Sequence, residues 1–82
     1  MENLNSTQDI LQSVISAELK RYRNDHNLSD RELAEKLSIT MDDYLAYEQG
    51  LVLPPVEIVL TFMTLMPKEE LVPFLKAATG AK

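Results

Sequence analysis

Few residues in this chain could do covalent chemistry, and their spacing argues against it. Asp42 and Asp43 are the only adjacent carboxylates in its middle third. Neighbours on a helix point in different directions, so they cannot share a proton as a catalytic pair. His26 stands alone, with no second metal-type ligand beside it, and reads as a surface residue. Ser29 and Ser38 have no base to activate them. The only glycines are Gly50 and Gly80, so no phosphate-cradling loop exists, and there are no cysteines. No enzyme activity, metal or cofactor is expected. What remains is binding chemistry. Lys20, Arg21, Arg23, Arg31 and Lys36 could neutralise phosphates, with Arg31, Lys36 and Arg21 the best placed. Met41, Leu45, Leu51, Val52 and Leu53 could form an apolar contact surface, or fold back as core.

Those side chains need helices to position them. Residues 1–6 are polar and are expected to be flexible. Ile10, Leu11, Val14, Ile15 and Leu19 recur at helical spacing, which predicts a first helix over about 7–25. Asn27 is a left-handed stop. Ser29 with Glu32 three residues on makes a capping box for a second helix, whose buried stripe is Leu33, Ala34 and Leu37. Ser38 and Ile39 turn the chain. Thr40 caps a third helix with two acids in its first turn, where carboxylates suit the positive helix end, and Gly50 closes it. Pro54 and Pro55 lead into a fourth helix, apolar nearly all round, which predicts burial on more than one side, by its own domain or by a partner. Pro67 opens the last segment. Pro73 should break it into a short turn at 68–72 and a separate piece at 73–79, with Gly80 as the stop. The prediction is an all-α fold of five helices. Helices two and three have the outline of a helix-turn-helix. The chain divides into a helix-turn-helix domain at 7–66 and a C-terminal helical segment at 67–82.

Eight Lys and Arg against thirteen Asp and Glu give a net charge of −5, which opposes strong nonspecific binding to nucleic acid. The absence of cysteine fits a cytoplasmic protein. No signal peptide is expected. The longest apolar stretch, 51–66, is interrupted by Pro54, Pro55 and Glu57 and is too short for a bilayer, so no membrane partner is expected.

Residues 19–66 resemble the Cro/C1 (XRE) family of helix-turn-helix proteins. The likeness rests on the run Leu-Ala-Glu-Lys-Leu at 33–37, on Glu48-Gln49-Gly50 with a proline soon after, on the apolar helix beyond, and on Arg23 late in the first helix. It implies a five-helix Cro/C1 repressor-like fold and a structural ion pair between Arg23 and Glu48. It also implies which positions face DNA: Asp30 at the start of helix two, then Thr40, Met41, Asp42, Asp43, Leu45 and Ala46 on helix three. Arg31 and Lys36, at the two ends of helix two, join these candidates by their charge. The basic loop usual after the glycine is here Leu51-Val52-Leu53. None of the Arg, Asn or Gln side chains that make bidentate base contacts lies within residues 40–46.

Two functions follow. One is a small transcriptional regulator that binds operator DNA as a homodimer, with helix three in the major groove and the last apolar segment as the dimer contact. The other keeps the fold but loses the DNA surface, and acts as a protein-interaction module, for example on another regulator. Candidate partner contacts are Leu51, Val52, Leu53, Phe74 and Leu75.

Overall fold

A computed structural model describes residues 7–79 as five helices: α1 (Thr7–Asp25), α2 (Asp30–Leu37), α3 (Met41–Glu48), α4 (Val56–Leu65) and α5 (Lys68–Thr79). No strand occurs among the described residues. The expectations for residues 1–6 and for Gly80 lie outside them.

Local hydrogen bonding sets most helix ends. Ser29 Oγ accepts the Glu32 N–H at 3.0 Å while Glu32 Oε1 accepts the Ser29 N–H at 2.8 Å, so both halves of the capping box are made. Thr40 Oγ1 accepts the Asp43 N–H at 3.1 Å and starts α3. Three successive helices then end the same way. Asn27, Ser38 and Gly50 have φ of 55°, 60° and 75°. After each, the next N–H reaches back five residues: Leu28 to the Arg23 carbonyl, Ile39 to Ala34 and Leu51 to Ala46, at 2.8, 3.1 and 2.9 Å. This left-handed closure satisfies carbonyls that a helix end leaves open. Only the third uses glycine.

Ile15, Leu19 and Tyr22 of α1 enter the core with Leu33, Ala34 and Leu37 of α2, Tyr44 and Tyr47 of α3, Phe62 of α4, Met66, and Phe74 of α5. Phe62 meets Tyr22 and Phe74 edge-on, with ring centroids 5.5 and 6.0 Å apart. α1 packs against both α3 and α5, and α2 against α3 and α4.

One sequence expectation is corrected here. α5 runs unbroken through Pro73. The ring removes one backbone donor, but Phe74 is 2% exposed and anchors the second half of the helix in the core. Burial of a phenyl group, about 1.5–3 kcal/mol, is comparable to the roughly 3 kcal/mol an interior proline costs. Of the two ways α4 could be covered, its own domain supplies one side only. Phe62 is buried, while Val56 and Leu60 stand in solvent.

Candidate functional site

The best-built feature is the seat of α3. Arg23 Nη2 of α1 lies 2.9 Å from Glu48 Oε2 at the end of α3, and Arg23 Nε donates to the same oxygen at 3.0 Å. Glu48 is 7% exposed, the one buried charged residue among those described. Two further α1 side chains hold the same end of α3. Ser16 Oγ donates to the Glu48 carbonyl, and Gln12 Nε2 to the Gly50 carbonyl. Ser16 also lines the open side of Gly50, where an added Cβ would sit 3.6 Å from its Oγ. Sequence reading missed Gln12 and Ser16. Their signal is a polar pair four residues apart on a helix whose other inward positions are apolar.

Tyr44 is fully buried beside this ion pair. Its hydroxyl makes no hydrogen bond of regular geometry, although both charges act on it. Burial above all, reinforced by the Glu48 carboxylate, holds the phenol well above its ordinary value, and Arg23 offsets only part of that. The Arg23 guanidinium is pushed up too, chiefly by its bond to Glu48.

The outward side of α3 carries Asp42 and Asp43, both exposed, with Met41, Leu45 and Ala46 half-buried. Met41 and Leu45 pack against the core, which leaves little of either for a partner. The Thr40 hydroxyl is engaged at the helix cap. Asp30 is half-buried, and its Oδ1 accepts the Arg31 N–H at 2.8 Å. Arg31 and Lys36 are exposed and make no ion pair among the described residues, with Glu32, Glu35 or any other carboxylate.

Arg21, read from sequence as a possible phosphate ligand, is engaged elsewhere. It pairs with Glu18 at 2.8 Å, Asp25 at 2.9 Å and, on α5, Glu70 at 3.3 Å. These carboxylates, Glu18 foremost, raise its pKa further. His26 is exposed, as its loop position predicts, but it is also engaged. Its ring stacks on Tyr22 with centroids 4.1 Å apart, and Nε2 lies 2.9 Å from Glu70 Oε2. The Tyr22 hydroxyl in turn donates to the Leu65 carbonyl at 3.1 Å. Arg21, Tyr22 and His26 therefore dock α1 onto the C-terminal helices.

The partner-contact candidates separate into two groups. Phe74 is core, so its assignment as a contact is corrected. The adjacent Leu75 is 39% exposed. Leu53 is half-buried against the core. Leu51 and Val52 project into solvent, at 68% and 51% exposed, and so do two α4 residues that sequence reading did not single out, Val56 at 69% and Leu60 at 53%. Their four-residue spacing puts Val56 and Leu60 on one face of α4. No phase signal marked that face, because α4 is apolar nearly all round.

The same part of the chain carries acids. The Tyr47 phenol is raised first by burial and then by Asp43 and Glu57, so both carboxylates bear on one ring. From 38 to 67 the chain has no Lys, Arg or His. Among the described residues no group of three or more His, Asp or Glu could hold a metal, and no helix is long and apolar enough to cross a membrane. No family model, curated protein or solved structure matches the chain.

Proposed function

We propose that this chain is a small regulatory domain of helix-turn-helix type, with α2 and α3 as the paired helices, that acts by binding a protein rather than by reading DNA. One observation carries the reading. The outward side of α3 and the segment behind it offer two free carboxylates and an exposed band of Leu51, Val52, Val56 and Leu60, with no cation from 38 to 67. DNA readers approach phosphates with Lys and Arg and read bases with Arg, Asn and Gln. Apolar groups left in solvent are instead the raw material of protein interfaces.

A second reading keeps the operator: a symmetric dimer with α3 in the major groove. Arg31 and Lys36 favour it, because both are exposed and unpaired beside α3. Retention on a duplex DNA column separates the two. With only these two cations available, the log-log salt slope is at most about −1.8 per subunit. The protein-binding reading expects elution at low salt, and no change in retention when Asp42→Asn and Asp43→Asn are combined. Tight, sequence-selective retention with a steep slope, or a marked gain in the double variant, would establish the operator reading instead.

A further inference from the structure

We propose that the band formed by Leu51, Val52, Val56 and Leu60 docks a basic amphipathic helix of a partner protein, with an apolar stripe flanked by lysine or arginine. This rests on the protein-binding reading above and names the chemistry of its partner. Val56 and Leu60 stand one turn apart on α4, a spacing that suits the i, i+4 stripe of an incoming helix. Leu51 and Val52 add two exposed side chains in the loop between α3 and α4, before the chain dips inward at Leu53 and Pro54.

The rim selects the partner's charge. Asp42, Asp43 and Glu57 are exposed and pair with no cation among the described residues. Glu57 stands on α4 itself, next to Val56 and three residues before Leu60, so its exposed carboxylate flanks the face those two residues form. No cation on a neighbouring element pairs with these acids, and the exposed Arg31 and Lys36 lie on α2 rather than on α3 or α4. Arg23 is engaged by Glu48, and Lys20 lines the groove between α1 and Gly50. A second copy of the chain, itself at −5, would set acid against acid across this face, and duplex DNA or an anionic lipid surface would meet the same repulsion. A helix edged with Lys or Arg gains from every rim carboxylate, and like-charged competitors are rejected.

The test uses the full chain, isotope-labelled, and two synthetic helical peptides that share a leucine stripe. One is flanked by lysines and the other by glutamates. The lysine peptide is expected to shift the amide resonances of Leu51, Val52, Val56 and Leu60, more weakly as salt rises, while the glutamate peptide shifts none. Combining Val56→Ser with Leu60→Ser should abolish the shifts. Combining Asp43→Asn with Glu57→Gln should weaken binding roughly two- to thirtyfold, the range expected for two exposed ion pairs. All four positions are exposed, so both variants should stay folded, the acid pair losing only the small helix-end contribution of two first-turn carboxylates. Equal binding of the two peptides would overturn the basic partner and leave the protein-binding reading standing. No shift with either peptide also overturns it. In that case a sedimenting dimer split by the serine variant identifies a second copy as the occupant. Shifts that appear only with duplex DNA, centred on α2 and the start of α3, would remove the protein-binding reading as well.

Discussion

Arg23 and Glu48 are joined at 2.9 Å across α1 and α3, with the carboxylate almost wholly buried and the guanidinium partly open to solvent. The pair ties the first helix to the end of the third. Removing the cation alone strands a buried charge, whereas removing both does not. Arg23→Ala should therefore cost about 2–4 kcal/mol. The double variant Arg23→Ala/Glu48→Ala should cost clearly less than the two single changes added together. Urea unfolding of the four proteins measures that coupling. Additive costs would mean that the pair contributes nothing as a pair.

Alkali should unfold this protein through its tyrosines. Tyr22, Tyr44 and Tyr47 are all raised from the ordinary value of 10.0, Tyr44 most strongly and mainly by burial. The folded chain thus keeps phenolic protons that the unfolded chain releases. That contribution to stability is complete below about pH 10 and is lost as pH climbs through the folded values, by up to roughly 1.4 kcal/mol per pH unit for each tyrosine. Tyr44→Phe deletes a hydroxyl with no regular hydrogen bond, so its stability at pH 7 should stay within about 1 kcal/mol of wild type. Above pH 10 it should lose stability less steeply. Denaturant midpoints between pH 8 and pH 11.5 provide the check.

Left-handed backbone at two helix ends should respond oppositely to glycine and alanine. Ser38 has φ of 60° and carries a Cβ there, so Ser38→Gly is expected to stabilise the fold by about 1 kcal/mol. Gly50 has φ of 75°, and the space near Ser16 would accept a methyl at ordinary contact distance. Gly50→Ala should still destabilise by about 1–2 kcal/mol, through the backbone alone. Thermal melts of both variants test the pair of signs.

Phe74 should be the anchor of α5. Phe74→Ala is expected to cost about 3–5 kcal/mol and to raise amide exchange along Lys68–Thr79 more than elsewhere. The neighbouring Leu75→Ala should cost less than about 1 kcal/mol, because that side chain is already partly in water. Pro73→Ala restores a backbone donor inside the helix and should stabilise it. A Pro73→Ala protein less stable than wild type would show that the ring packs where its hydrogen bond is missing.

Helix boundaries were legible in the sequence because they are decided over three to five residues. Ser29 with Glu32, Thr40 with Asp43, and the left-handed Asn27 and Gly50 each act on backbone groups within one turn, so residue type and spacing suffice. The continuity of α5 was not legible. The local rule at Pro73 is outweighed by the burial of Phe74, which depends on Phe62 and α1 arriving at the same place. The fates of Arg21 and His26 were equally hidden, since Glu70 meets them from more than forty positions away in the chain. The apolar band followed the same logic. α4 is apolar on nearly every side, so its sequence carries no phase that says which side faces in. Packing of Phe62 against Tyr22 and Phe74 chose the buried side, and by that choice left Val56 and Leu60 in solvent.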